Sequence, residues 1–236
     1  MILAAAGAVD HEAIVRQCEE IFGNLASRNQ NHLLEGNFSG GEVRHIKDLE
    51  QAHFAMAFEG PNYKNSDIYT AQVFATAFGG GMSSRLFQEV REKRGLCYSI
   101  FASAGAYSDT GTLTLYAGTS GDKVSELANI TMDEIKRAAD NMNGNEVSRA
   151  SVQMKAGLLM GLESPSSRAE RLARMVAIWD RIPTLDEVVE KIDAVSVNSV
   201  RNFAASLIGG SPSALALYGP VKDAPRVEEL QARLVA

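Results

Sequence analysis

The four histidines are the first residues to test for chemistry, because imidazoles are the commonest zinc ligands in metalloenzymes. They are His11, His32, His45 and His53. No two of them are four residues apart, the spacing that places two imidazoles on one helix face. The run His32-Leu-Leu-Glu35 begins like the inverted zinc motif H-x-x-E-H, but Gly36 stands where the second histidine is required. The sequence therefore predicts no metal site in this chain.

A run of three glycines, Gly79 to Gly81, precedes Met82-Ser83-Ser84-Arg85 and a helical pattern. Free N–H groups at the start of a helix attract anions, so a phosphate-binding loop is one interpretation. However, the run follows a helix instead of a strand and has no G-K-[ST] ending, so neither nucleotide-binding fingerprint is met. Two other interpretations stay open. The glycines can let two helices meet at a sharp angle, or they can leave the backbone exposed to an extended peptide.

A charged run ends the helix that follows these glycines, and it consists of Arg91, Glu92, Lys93 and Arg94. Taken alone, such a run is a solvated helix end with a favourable dipole arrangement. Cys97 follows in a predicted strand and is expected to be a small buried side chain. No nucleophile lies in an elbow motif and no histidine has an evident orienting partner, so Ser-His-Asp and Cys-His chemistry are not supported.

Composition excludes several classes of protein. Of the 236 residues, 45% are apolar and 22% are charged, which describes an ordinary globular protein. The chain has 23 Lys and Arg against 29 Asp and Glu, a formal charge of −6, which argues against nucleic acid and suits a basic partner. Cys18 and Cys97 match no metal or redox spacing, so reduced thiols are expected. No signal peptide and no membrane-spanning run is predicted.

The elements that would position these residues mix strand and helix patterns. A strand is predicted over Met1–Val9, followed by a helix that Asp10 caps. After a polar linker, strands are predicted over 42–48 and 51–61, helices over 65–78 and 83–93, and a hairpin over 97–120. The remainder predicts helices over 121–140, 145–163, 166–180, 184–193 and 196–207, a strand over 213–219, and a helix near 227–234. This mixture predicts an α+β fold.

The end of the chain repeats its beginning. Leu3–Phe22 aligns without gaps with Leu215–Leu234, and the alignment pairs Gly7 with Gly219 and Val9 with Val221. Chance similarity stays open, because any strand-Gly-helix unit has this pattern. If the repeat is real, the first unit is the end of an earlier domain and the chain is a piece of something longer.

Phe78 to Ser99 reads FGGGMSSRLFQEVREKRGLCYS and closely resembles the signature of the C-terminal domain in pitrilysin-type zinc metallopeptidases, on the branch of the processing peptidases. AAAGAVDHEAIVRQCEEIFGNL, QAHFAMAFEGP, TLTLYAGTS and VEKIDAVSVNSV are also similar to segments of that family. The resemblance implies a two-layer α+β fold, a mainly antiparallel sheet covered by helices. It implies a remnant of a preceding domain at 1–26, a linker at 27–41 and a C-terminal non-zinc domain at 42–236.

The resemblance also assigns roles to residues. An Arg and a Tyr seven residues apart match Arg91 and Tyr98 here, and they would face a zinc site across a closed chamber. Tyr98 would be catalytic by donating a hydrogen bond to the scissile carbonyl or its oxyanion, and Arg91 would hold the substrate backbone. Gly79, Gly80 and Gly81 resemble the family's glycine-rich loop, which handles extended substrate. A turn at Gly95 is expected to bring Arg91 and Tyr98 to one surface.

The function implied is the C-terminal, substrate-binding half of a processing-peptidase-like zinc metalloendopeptidase, inactive on its own. The chain itself would hold no cofactor, and zinc would belong to the missing N-terminal domain. The partners implied are peptide substrates and a zinc-bearing domain or subunit, with a dimer as a further arrangement. The implied location is a bacterial cytoplasm, with the mitochondrial matrix as the alternative. The alternative functions are a non-catalytic partner subunit or peptide-binding assembly module, and a nucleotide-binding domain.

Overall fold

A computed structural model describes residues 1–25, 34–209 and 212–236 of the chain. Its strands are β1 (Gly41–Ile46), β2 (Ala52–Gly60), β3 (Cys97–Ala106), β4 (Gly111–Thr119) and β5 (Ser213–Gly219). Its α-helices are α1 (His11–Phe22), α2 (Ile68–Gly79), α3 (Val124–Asn141), α4 (Gly144–Gly161), α5 (Pro165–Trp179), α6 (Leu185–Asp193), α7 (Val197–Ile208) and α8 (Val227–Val235). A π-helix spans Phe87–Glu92. The predicted α+β fold is confirmed.

The five strands form one mainly antiparallel sheet in the order β1-β5-β2-β4-β3. β1 and β5 are parallel, whereas the three other neighbouring pairs are antiparallel. The predicted hairpin is β3–β4, which pairs from Ala106 opposite Gly111 back to Cys97 opposite Thr119. The last strand in the chain therefore lies between the first two.

The core lies between one face of this sheet and helices that include α2, α3 and α8, as expected for a two-layer fold. Alternate residues of β2 are fully buried, namely Ala52, Phe54, Met56 and Phe58. On the helical side, the Phe74 ring of α2 stacks on Phe78 at 5.1 Å and meets the edge of Phe203 of α7 at 5.4 Å, between ring centroids. Burying each of these large side chains contributes about 1.5–3 kcal/mol to the free energy of unfolding.

The chain divides into two compact units. The sheet and its core belong to the unit formed by Asn37–Lys155 and Leu185–Ala236. The other unit comprises Met1–Gly36 and Ala156–Thr184, and helix α4 passes from one unit into the other. Within the described part of this second unit, Pro183 alone is buried. Its amphipathic helices α1 and α5 bury no side chain.

The predicted strand over Met1–Val9 is wrong, because these residues belong to no sheet within the described chain. A strand is stable only when its backbone groups pair with a neighbouring strand, and no neighbour is present here. Its apolar side chains are correspondingly exposed, Leu3 at 51% and Val9 at 52%. The helix that follows is confirmed as α1, and its cap is confirmed because Ala13 N–H donates to Asp10 Oδ1 at 2.7 Å.

The two halves of the sequence repeat nevertheless share a backbone turn. Gly7 has φ +120° and Gly219 has φ +108°, a region that favours glycine. Val9 N–H donates to Gly7 O at 3.0 Å, and Val221 N–H donates to Gly219 O at 2.9 Å. The local geometry is therefore common to both repeats, although Val221 is fully buried and Val9 is exposed.

Two other predicted segments are the helix over 83–93 and the linker. The helix predicted over 83–93 is π-helical over Phe87–Glu92, because Lys93 N–H donates five residues back to Gln88 O at 3.0 Å. Much of the predicted linker, including His32, lies outside the described residues. Residues 34–40 carry no helix or strand, and β1 begins at Gly41.

We predict that Gly79→Ala destabilises the sheet unit. A Cβ at position 79 would lie 2.4 Å from the Ala102 backbone nitrogen and 2.7 Å from Ala102 Cβ, so α2 would have to move away from β3. Overpacking of this kind costs about 1–3 kcal/mol, which urea unfolding followed by circular dichroism measures. Gly81→Ala is the matched control, because its Cβ would meet only the flexible end of Gln153 at 3.3 Å. Equal unfolding midpoints for the two variants would contradict the close packing of Gly79 against β3.

Candidate functional site

The candidate site is built on the turn that joins the π-helix to β3. Gly95 has φ +60°, in the left-handed region, and reverses the chain there. Gly95 N–H donates to Arg91 O at 2.9 Å, and Leu96 N–H donates to Val90 O at 3.0 Å. These two bonds close the end of the π-helix and start β3 directly beside it. Single π-helical turns occur frequently at functional sites.

The turn brings Arg91 and Tyr98 together, as the sequence predicts. The guanidinium carbon of Arg91 lies 5.2 Å from the centroid of the Tyr98 ring and 4.5 Å from that of Phe87. The guanidinium thus contacts two aromatic rings, an arrangement that restricts its orientation. Tyr98 lies at a register irregularity between Cys97 and Ser99 and is 79% exposed. Its hydroxyl is therefore available to a ligand.

The neighbouring basic residues, Lys93 and Arg94, contact a carboxylate more closely than Arg91 does. Lys93 forms an ion pair with Glu89, and Arg94 Nη1 lies 2.9 Å from Glu89 Oε2. The hydrogen bond from Lys93, followed by that from Arg94, lowers the pKa of the Glu89 carboxyl. Among the described carboxylates, the one that Arg91 contacts is that of Glu92, at 4.0 Å. Within the charged run, Lys93 and Arg94 are thus engaged by Glu89, whereas Arg91 faces Tyr98.

Two residues that the sequence did not single out hold the turn in place. The Thr119 hydroxyl donates to Leu96 O, and Thr119 itself is 4% exposed. Lys123 Nζ donates to Gly95 O at 3.0 Å. Thr119 is the partner of Cys97 in the β3–β4 pairing, so the hairpin register was the signal that could have found it. The position of Tyr98 therefore depends on β4 and on the chain that follows it.

A cleft of about 340 Å³ opens beside Tyr98. Its walls come from the chain before β2, from the Gly95 turn and from the ends of β3 and β4. It is lined by Glu50, Gln51, Gly95, Leu96, Cys97, Tyr98, Gly118, Thr119, Ser120 and Lys123. Carboxylate, carboxamide, hydroxyl and ammonium groups all line it, so the cleft suits a polar ligand such as a peptide main chain.

The three glycines of the predicted loop differ from one another. Gly79 is buried, and its lack of a side chain permits the close contact with Ala102 of β3. Gly80 is exposed, and its carbonyl accepts a hydrogen bond from Gln153 Nε2 of α4 at 2.9 Å. Gly81 is half-buried beside the same glutamine. Close packing against β3 is therefore sufficient to explain why residue 79 is glycine. Gly80 and Gly81, in contrast, leave the backbone near the surface.

The described part of the chain offers no fit for a metal ion. In residues 1–25, 34–209 and 212–236, no three His, Cys, Asp or Glu side chains form a group that could hold one. His53 contacts Tyr116 and Tyr218 instead, with its Nδ1 at 2.8 Å from Tyr116 Oη. His32 lies outside the described residues. Among the helices described, none combines the length and apolarity needed to cross a membrane.

Cys97 lines the cleft but is poorly suited to act as a nucleophile. Burial raises the pKa of its thiol to about 11, and the positive charge of Arg91 acts in the opposite direction. The reactive form of cysteine is the thiolate, which is scarce at neutral pH when the pKa is raised. Cys97 is therefore a protonated, partly buried side chain in this site.

We predict that Cys97 reacts slowly with alkylating reagents. In Cys18→Ser, where Cys97 is the remaining thiol, a pKa of about 11 leaves on the order of 0.1% thiolate at pH 8. Iodoacetamide labelling followed by mass spectrometry should be roughly 100-fold slower than for free cysteine and should rise about tenfold per pH unit up to pH 10. The same variant in urea is the control, and a rate that levels off between pH 7 and 9 would be inconsistent with this environment.

Comparison with known proteins shows the family to which the chain belongs. Residues 1–154 match the family model described as "Peptidase M16 inactive domain". An uncharacterised zinc protease of Rickettsia bellii is 35% identical over 219 residues, which cover 92% of this chain and 53% of the relative. An uncharacterised zinc protease of Bacillus subtilis is 31% identical over 229 residues, which cover 95% of this chain and 55% of the relative. The chain thus spans about half the length of the curated relatives it matches.

A solved structure shares the fold. A chain of "Complex III2 from Candida albicans, Inz-5 bound" matches 96% of this chain and 56% of its own length, with a TM-score of 0.86 and 23% identity. At this identity the similarity concerns the fold. The family model and the bacterial relatives confirm the resemblance to pitrilysin-type zinc metallopeptidases. The chain therefore belongs to the peptidase M16 family, and its match is to the inactive domain of that family.

Proposed function

We propose that this chain is the C-terminal, substrate-binding half of a processing-peptidase-like zinc metalloendopeptidase. The observation that carries the proposal is the contact between Arg91 and the exposed Tyr98 beside a polar cleft. In this proposal the chain closes a chamber around a peptide, and Tyr98 donates a hydrogen bond to the scissile carbonyl. Arg91 binds a neighbouring carbonyl of the substrate, and the Gly80–Gly81 backbone accommodates an extended segment.

The chemistry of the two side chains suits these roles. A phenol donates a hydrogen bond, and an oxygen that gains negative charge in the transition state accepts it more strongly than the ground-state carbonyl does. A guanidinium has several donors in one plane and can hold a peptide carbonyl while it stacks on aromatic rings. The stacking of Arg91 on Phe87 and Tyr98 presets that plane before a substrate binds.

The zinc ion belongs to another domain in this proposal. No three potential ligands meet among the described residues, so the side chains described here do not fit the ion. The partner implied is a zinc-bearing domain or subunit with an H-x-x-E-H helix, and the substrates are peptides. A bacterial cytoplasm is the location that we propose, and the bacterial zinc proteases related to this chain are consistent with it.

We further propose the domain organisation in which 1–26 ends a preceding domain, 27–41 is a linker and 42–236 is the non-zinc domain. The turn shared by Gly7 and Gly219 supports it, since Leu215 and Val221 are buried in the sheet unit while Leu3 and Val9 are exposed. The segment Leu3–Phe22 thus shares the glycine turn and the helix of Leu215–Leu234, whereas residues 1–9 pair with no strand of the described chain.

We predict that the chain alone does not cleave peptides in a zinc-dependent manner. It should release no fluorescence from a quenched peptide in the presence of zinc, because no described group of ligands can hold the ion. Adding a polypeptide that bears H-x-x-E-H should restore hydrolysis, which a chelator then abolishes. Cleavage by the isolated chain that a chelator abolishes would refute the proposed division of labour. Complex formation without hydrolysis would favour the alternative, a non-catalytic partner subunit.

We predict that Tyr98→Phe in the reconstituted assembly lowers kcat about 10²–10³-fold, the usual effect of removing one transition-state donor. KM and the free energy of unfolding should change little, because the side chain is 79% exposed and the ring that contacts Arg91 is retained. Tyr107→Phe is the matched control, an exposed tyrosine just after the other end of β3. An unchanged kcat in Tyr98→Phe would remove its hydroxyl from the mechanism.

A further inference from the structure

The sheet has a second face, opposite the core, that leads directly to Tyr98. Along one row across this face, Tyr218 of β5 lies opposite His53 of β2, His53 opposite Gly118 of β4, and Gly118 opposite Ser99 of β3. Ser99 follows Tyr98 in the chain, so the row ends at the candidate site. Tyr218 is 39% exposed and His53 and Ser99 are half-buried, so these three side chains are partly accessible to a ligand, whereas Gly118 between them is buried.

Gly118 lets three oxygen atoms come together in this row. A Cβ built on Gly118 would lie 3.3 Å from Ser99 Oγ and 3.7 Å from both Gln51 Oε1 and Tyr116 Oη. We call Gln51, Ser99 and Tyr116 the oxygen cluster. A side chain at position 118 would crowd Ser99, so glycine is the residue that allows the three groups to share one small region.

The oxygen cluster can accept further hydrogen bonds. Tyr116 Oη lies 2.8 Å from His53 Nδ1, and its ring packs against Phe101 at 5.1 Å between centroids, which fixes the ring. Ser99 Oγ and the Gln51 carboxamide have no hydrogen-bond partner among the described residues. A hydroxyl oxygen and a carboxamide oxygen each accept hydrogen bonds. The cluster thus presents acceptors to an incoming N–H group.

Gln51 of the oxygen cluster lines the same cleft as Tyr98, and so does Gly118, whose position is close to all three cluster oxygens. Ser99 and Tyr116 lie beside this cleft and are not part of its lining. An extended peptide presents carbonyl and N–H groups in close succession along its main chain. We propose that the oxygen cluster is a main-chain subsite. It accepts a hydrogen bond from a peptide N–H group, while Tyr98 donates a hydrogen bond to a neighbouring carbonyl. This inference rests on the proposed function for the role of Tyr98 and adds a subsite to it.

The charged side chains of the cleft give it no preference for either sign of charge. Glu50 and Lys123 line it together, so charges of opposite sign are present. Lys123 Nζ already donates to Gly95 O at 3.0 Å. Each of these two side chains attracts one sign of charge and repels the other, so together they select neither a cationic nor an anionic side chain, and a peptide N–H has no net charge. The ligand class is therefore an extended peptide main chain, independent of side-chain charge.

The test is a binding titration of the isotope-labelled chain, followed by NMR. The probe is the uncharged peptide acetyl-Gly-Val-Ser-Val-Ser-Val-Gly-amide, and we expect a Kd of about 1 mM or tighter. Ser99→Ala and Tyr116→Phe should each weaken binding about 3–10-fold, the usual effect of losing one hydrogen bond. Ser103→Ala is the matched control, since Ser103 is exposed on the same strand and the same face, and it should bind as the unchanged chain does.

A second ligand tests the donor itself. Probes in which one amide N–H at a time is replaced by an ester oxygen should include one that binds about 3–10-fold more weakly to the unchanged chain, and Ser99→Ala should not distinguish that probe from the parent peptide. Wild-type affinity in both Ser99→Ala and Tyr116→Phe, or no binding by the unchanged chain, would overturn the inference. Concentration-dependent shifts of the cluster without peptide would instead show a second copy of this chain on the face, and would also overturn it.

Failure of this inference is distinguishable from failure of the proposed function. The inference is read from peptide affinity in the chain alone, whereas the proposed function is read from kcat of Tyr98→Phe in the assembly. A cluster-dependent affinity together with an unchanged kcat would remove the catalytic role of Tyr98 and leave the subsite in place. A lowered kcat together with cluster-independent affinity would do the reverse.

Discussion

The insertion of β5 between β1 and β2 is the constraint on which the rest of the fold depends. β5 comes from the end of the chain, and without it the sheet would consist of β2, β4 and β3 with a detached β1. Arg44 of β1 secures the insertion, because its guanidinium donates to Val221 O at 3.0 Å, Ala224 O at 2.9 Å and Pro225 O at 3.1 Å. One planar group with several donors thus fixes the chain that leaves β5.

The candidate site depends on this sheet through β4. Because β4 pairs with both β2 and β3, its last residue, Thr119, has a fixed position relative to the Gly95 turn. Thr119 and Lys123 then hold the two carbonyls of that turn, and the turn sets Tyr98 against Arg91. The positions of Arg91, a long side chain, and Tyr98, an exposed one, therefore depend on the pairing of buried strands. A site supported in this way is more rigid than one carried by a free loop.

The sequence predicted local features well and long-range ones poorly. The strand predicted over 51–61 is β2 and the hairpin predicted over 97–120 is β3–β4. Both could be predicted because apolar alternation and turn residues are signals that lie within a short stretch of sequence. The order of the strands and the support of Leu96 by Thr119 were not predictable in the same way, since they depend on register between distant segments.

The contact of Arg91 with Tyr98 was predictable because Gly95 lies between them. The π-helix was missed because its hydrogen bonds differ from those of an α-helix by one residue, which leaves little trace in apolar spacing.

The error at Met1–Val9 and the geometry of Gly7 have one explanation. The backbone of Gly7 and Val9 adopts the turn found at Gly219 and Val221, so the local sequence is sufficient for that turn. It is not sufficient for the strand, because β5 is a strand only through its pairing with β1 on one side and β2 on the other. Leu217 of β5 is 2% exposed for the same reason, while Leu3 and Val9 are about half exposed. A strand pattern therefore predicts a strand only where neighbouring strands are present to pair with the segment. The apolar side chains before Asp10 are exposed because no strand of the described chain pairs with residues 1–9.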